Sequence, residues 1–262
     1  MDVFYRVTVY LLAGLLGLCV GSFLNVVIYR VPAGLGLAKP NSHCPACKYE
    51  LRWYDNIPVL SYLMLGGRCR ACKARISPRY VAVELANAVL WLVCVFFFWE
   101  KSIALACIYA LIFSVFVCVF CIDMTHKVIN DRFQVILLAL SVASIFFDKD
   151  YGWLSHVIGG VAGFACFYLV ALVFERLKGE EGLGGGDVKL AFSAGLLLGW
   201  ERLLLALLVA TIPAAVIMSV LKRGESGEAR RFAFAPFLIV GFGTAMLFGT
   251  QTVSWYVSLF GL

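Results

Sequence analysis

The chain has 262 residues, of which 62% are hydrophobic and 15% charged, with a formal net charge of +6. That balance excludes a water-soluble domain, because a single core cannot hide so much apolar surface, and the solvent must therefore include lipid. The positive charge is distributed over several loops and is not gathered on one soluble domain with base-stacking aromatics, which excludes nucleic acid as a partner.

Eight apolar stretches follow one another, at 7–29, 81–99, 103–122, 133–147, 154–174, 188–200, 203–221 and 232–248. Crossing the hydrocarbon core takes about 20 residues, so the fourth and sixth are short and must borrow from their flanks. The expected fold is an all-α polytopic membrane protein of about eight transmembrane helices with a small loop domain. Its expected domains are a first transmembrane helix at 1–29, a loop domain at 30–80 and a multi-helix transmembrane domain at 81–262. The first stretch reads as retained. It carries Asp2 and Arg6 where a signal peptide has a basic amino end, and it runs into Arg30 without a convincing cleavage site.

Basic residues stay preferentially on the cytoplasmic face of short loops. With eight spans, one set of loops and tails holds Arg6, Lys101, Lys149 and Arg202, and the other holds the remaining 18 of the 22 basic residues. The lipid bilayer is thus crossed with both termini outside, and the long loop between the first two stretches is cytoplasmic.

Within that loop, Cys44-Pro-Ala-Cys47 and Cys69-Arg-Ala-Cys72 are two CxxC pairs separated by 21 residues. Four thiolates so spaced can close a tetrahedron around zinc, and the metal bonds stabilise a segment of about 50 residues that has little core of its own. Disulfide or redox exchange is the competing reading, disfavoured in a reducing cytoplasm. Four cysteines complete the shell, so His43 is not needed as a ligand. The other six cysteines lie in apolar stretches and read as packing residues, Cys118 and Cys121 included. Glu84, early in the second stretch, reads as a partner for Arg79 or another loop cation, or as a cofactor-related acid.

Asp123 ends the third stretch, and Asp187 opens the sixth after Gly184, Gly185 and Gly186. Both fall at the cytoplasmic edge, where ionisable groups are costly and tend to be functional. Two carboxylates brought together share a proton: one activates water while the other, protonated, polarises a carbonyl, which is aspartyl-protease chemistry. The glycines let an extended substrate backbone approach. A lone aspartate at either place reads more simply as a helix cap or the mark of a span leaving lipid; the matched depth and the glycine run favour catalysis. Asp131 is adequately explained as a cap for the fourth span. Glu180 and Glu181 present negative charge that would attract a basic peptide at a hydrated surface. A proton-coupled transporter would also use paired acids, but these lie near one face and no internal repeat accompanies them. A non-catalytic scaffold would explain the cysteines and leave the glycine–aspartate run without a reason.

These residues resemble the type IV prepilin peptidases, the bifunctional leader peptidase and N-methyltransferase family of pilus assembly and type II secretion. The resemblance runs from Gly21-Ser-Phe-Leu-Asn25 through the cysteine pairs, Asn56-Ile-Pro58, Ser61-Tyr62, Arg79-Tyr80 and Glu84. It continues through Asp123 with Ile129-Asn130-Asp131 to Gly184-Gly-Gly-Asp187 with Lys189, the GxGD motif. It implies a bacterial inner-membrane enzyme that cleaves the basic leader of prepilins and pseudopilins with Asp123 and Asp187. Methylation of the new amino terminus from S-adenosylmethionine would follow. No glycine-rich nucleotide fold is visible, so the methyl-donor site has no place in the sequence. Asn130 stands where the family often has proline. Ala88 stands where it commonly has a glycine associated with methyl transfer, the departure that bears on the second activity.

Overall fold

A computed structural model describes residues 2–39, 41–178, 183–221 and 233–259. The main helices are α1 (Asp2–Arg30), α2 (Leu60–Met64), α3 (Arg79–Phe98), α4 (Ile103–His126), α5 (Asp131–Ile145), α6 (Trp153–Lys178), α7 (Gly185–Leu221) and α8 (Ala235–Ser258). Among the described residues there is no strand, only two isolated bridges. Seven of these helices, all but the short α2, cover the eight apolar stretches, the sixth and seventh both falling within α7, and the protein is an all-α, multi-pass membrane protein. Glu180 and Glu181 lie outside the described residues, as do the basic residues at 222–231.

Six helices are long and apolar enough to cross a bilayer, and the comparison with eight stretches turns on α5 and α7. With 15 residues, α5 rises about 22 Å, short of the roughly 30 Å hydrocarbon core. The 37 residues of α7 contain a non-helical break at Gly199, with φ 74° and ψ 165°, a conformation that strains any residue with a Cβ. The chain turns back there. A Cβ on Gly163 of α6 would meet Ala191 O before the break at 2.6 Å and a Leu203 methyl after it at 3.4 Å. Residues twelve apart in one straight helix would be about 18 Å apart. The sixth and seventh stretches are thus two arms of a hairpin.

The reversal has a polar lock. Arg202, read from sequence as a loop cation, is 2% exposed. Its guanidinium donates to Asp148 at 2.6 Å and to the Leu198 carbonyl, and lies over the Tyr151 ring at 4.5 Å. A charge at such a site is tolerable only when paired and hydrogen-bonded in this way. Small residues draw the surrounding helices together: a Cβ on Gly195 of α7 would stand 2.1 Å from Gly159 O, and one on Gly241 of α8 would stand 2.3 Å from Ala206 O.

The chain divides into two compact units, Met1–Cys118 and Val119–Leu262. In the first, α1 and α3 pack closely at Gly17 and Gly21, where a Cβ would come within 2.8 Å of the Ala88 and Glu84 α-carbons. Asn87 donates to Gly17 O at 2.7 Å and accepts from Ser114, which in turn accepts from the Trp91 indole. These polar groups are satisfied inside the protein, as lipid requires. The second unit holds the end of α4 with α5 to α8.

Candidate active site and metal centre

Asp123 occupies the last turns of α4 and is 5% exposed. The Ala235 backbone N–H, at the start of α8, faces its carboxylate, and its Oδ2 is buried without a hydrogen-bond partner. Asp187 lies in the first turn of α7, where its N–H bonds to Gly184 O at 3.0 Å and its carboxylate faces the Gly184 backbone N–H. It therefore does part of the work of a helix cap. It is also the group on which Asp123 acts electrostatically through space. The second unit thus brings together two aspartates separated by 64 residues in sequence.

The glycines are packed as well as permissive. A Cβ on Gly186 would stand 3.0 Å from Ile129 Cβ, whereas Gly185 faces open space. Gly186 O accepts from Gln134 Nε2 at 2.9 Å, a partner that sequence reasoning missed. The available signal was an amide inside an otherwise apolar run. Asn130 caps α5 by accepting the Arg132 N–H at 3.0 Å. Asp131, expected as the cap, instead pairs with Lys189 at 2.5 Å.

The cysteine loop belongs to the first unit. Its two CxxC segments fold alike: Cys44 N–H bonds Tyr49 O and Cys69 N–H bonds Ala74 O, while Lys48 and Lys73 both adopt positive φ near 60°. The first turn aims backbone N–H groups at sulfur. Those of Cys47 and Ala46 hold the Cys44 thiol down at about 6, favouring the thiolate that a metal needs. The four Sγ atoms lie within 4.8 Å of one another, with Cys44–Cys72 at 3.8 Å and Cys47–Cys69 at 3.9 Å. A tetrahedron with bonds of about 2.3 Å has edges of about 3.8 Å, whereas a disulfide would need about 2 Å. None of the four is joined in a disulfide. Among the described residues this is the one group of three or more His, Cys, Asp or Glu side chains able to hold a metal ion, and its geometry and soft ligands suit zinc. His43 lies outside the cluster, its ring nitrogen 3.1 Å from Asn41 O.

Asp55 ties the two segments together. Its carboxylate accepts from Arg70 Nε at 2.6 Å and from the Tyr49 hydroxyl and Arg52 N–H, each at 3.3 Å. Burial would raise this acid, but the Arg70 guanidinium and the Arg52 N–H outweigh it and hold Asp55 below its ordinary value. The loop is fastened to α3 by Glu84, whose Oε2 accepts the Val59 N–H at 2.8 Å. Val59 is held there at φ 60°, an uncommon conformation for a β-branched residue. The observed partner of Glu84 is thus a backbone amide.

Residues 15–98 match the model of the bacterial peptidase A24 N-terminal domain, and residues 109–219 match the type IV leader peptidase family. The chain is similar to the prepilin leader peptidase/N-methyltransferase of Pseudomonas aeruginosa, 34% identical across 94% of this chain and 93% of the relative. That of Stutzerimonas stutzeri is 32% identical over the same shares, and that of Neisseria gonorrhoeae is 34% identical over 87% of each. No solved structure matches the chain.

Proposed function

This chain belongs to the type IV leader peptidase family, and on that premise we propose that it is a membrane aspartyl endopeptidase that removes prepilin leaders and methylates the new amino terminus. Asp123 and Asp187 are the catalytic pair in this reading. The observation that carries it is the buried, donor-free Oδ2 of Asp123 on a carboxylate that acts through space on Asp187. Of two acids so coupled, one ionises and takes a proton from water while the other, still protonated, hydrogen-bonds the scissile carbonyl. Water adds to the carbonyl carbon. Proton return to the nitrogen then releases the leader and a free amine.

The substrates are prepilins and pseudopilins, seated with the apolar helix in the bilayer and the basic leader in the cytoplasm. A helix must unwind before it can be cut, and the open space at Gly185 admits an extended backbone. The enzyme resides in the bacterial inner membrane with both termini periplasmic. Residues 1–29 form a first span, 30–80 a cytoplasmic zinc domain and 81–262 the protease domain.

Cys44, Cys47, Cys69 and Cys72 would hold zinc as a structural ion, since four thiolates leave no position for water. S-adenosylmethionine supplies the methyl group. The amine freed by cleavage is the nucleophile that accepts it, and the zinc domain supports this second reaction, not the hydrolysis. Asp123→Asn and Asp187→Asn test the assignment: each abolishes leader removal in membranes, and normal processing by either variant would refute it.

A further inference from the structure

Gln134, on the first turn of α5, is 5% exposed. Its Nε2 donates to Gly186 O at 2.9 Å, which fixes the orientation of the amide, because a carbonyl only accepts. The remaining amide atom, Oε1, is buried with no hydrogen-bond partner. A buried acceptor without a donor is costly, and a thioether or alkyl side chain would fill the same volume without that cost. The residue that Gln134 holds directly precedes Asp187, and the Oδ2 of Asp123 is likewise buried and donor-free. One buried acceptor awaiting a donor therefore belongs to the side chain that holds Gly186, and Asp123 carries another in the same unit.

A peptide unwound from a helix presents backbone N–H groups that have lost their partners and, in a water-poor site, must find new ones. We propose that Gln134 Oε1 is a substrate subsite that receives a backbone N–H of the unwound segment flanking the scissile bond, while Nε2 keeps Gly186 in register. The subsite rests on the reading of Asp123 and Asp187 as the catalytic pair. One side chain then does two things: it positions the glycine run and recognises the extended main chain whatever its side chains are.

The test uses the full chain in lipid nanodiscs and a synthetic prepilin-type peptide. A companion panel carries a single ester in place of one amide on either side of the scissile bond, deleting one N–H at a time. The wild-type enzyme is expected to lose about tenfold in kcat/KM, mainly through KM, on one ester of the panel. Gln134→Met is expected to be about tenfold weaker on the all-amide peptide and to show no further loss on that ester, the signature of a shared contact. Wild-type kcat/KM in Gln134→Met, or identical ester penalties in both enzymes at every position, would overturn the proposal. If Gln134→Met fails to fold, the wild-type panel decides alone, because indifference to every ester removes the subsite. Cleavage surviving in Asp187→Asn would instead sink the catalytic pair, a separate result.

Discussion

Lys189 places its Nζ 2.5 Å from Asp131 Oδ1, linking the segment after Asp123 to the turn that opens with Asp187. Both side chains are more than half exposed. Such a pair contributes at most about 1 kcal/mol, so Lys189→Met is expected to leave thermal stability nearly unchanged and to lower leader cleavage only a few-fold. A loss as complete as that of Asp187→Asn would show that Lys189 has a role in the chemistry itself. Steady-state kinetics on both variants separates the outcomes.

The packing at Gly186 makes a sharper demand. In Gly186→Ala the new methyl would meet Ile129 Cβ at 3.0 Å, and with Gln134 holding the same residue the turn has little freedom to yield. Cleavage is expected to fall about tenfold or more, since small misplacements of catalytic groups are amplified in rate. Ile129→Ala in the same chain should restore part of the loss. Failure of that second substitution to restore any activity would show that the glycine is needed for another reason.

Removal of the metal separates the two reactions. Cys44→Ser is expected to abolish stoichiometric zinc in metal analysis of the purified protein and to unfold the loop, because metal-binding energy is folding energy in so small a segment. Methyl transfer should be lost first, with leader cleavage the better preserved. Full zinc content in the variant, or loss of cleavage with methylation intact, would contradict the assignment of the loop.

Asp55 gives the loop a defined acid sensitivity. Its folded value lies below the ordinary carboxylate value, so its contribution is fully present above about pH 4 and is lost as pH falls through the folded value. Asp55→Asn is expected to destabilise the loop by about 1–3 kcal/mol at neutral pH, because the contacts of Arg70 and Tyr49 to a carboxylate are lost. The variant should also show a flatter acid limb than wild type. Hydrogen exchange across residues 44–72 as a function of pH reads both, and parallel acid limbs would refute the role given to this ion pair.

Much of this architecture was legible in the sequence because its signals are local. Apolar runs foretell helices, and paired CxxC segments foretell a closed thiolate cluster. The misses depend on partners remote in sequence. Arg202 looked like a loop cation because its partner, Asp148, is 54 residues away, and the pairing sits just beyond the reversal at Gly199. Glu84 looked like a mate for a cation, yet it accepts a backbone N–H from a residue held at positive φ. Composition does not encode such a conformation. Gln134 was overlooked because one amide in an apolar run says nothing of the glycine carbonyl 52 residues ahead. Asp131 and Asn130 are both good caps by residue type; Asn130 takes the Arg132 N–H, while Asp131 pairs with Lys189, 58 residues away in sequence.

The proposed activity has two aspartates cut a prepilin leader in the membrane, after which the same chain methylates the product. Its most direct test is mass spectrometry of a prepilin incubated with the reconstituted protein and S-adenosylmethionine, beside Asp123→Asn and Asp187→Asn. Wild type is expected to yield a product lacking the leader and carrying one methyl group on its new amino terminus. Each variant should leave the prepilin whole yet methylate a substrate supplied already cleaved. Leader loss in either variant at the wild-type rate would contradict the account.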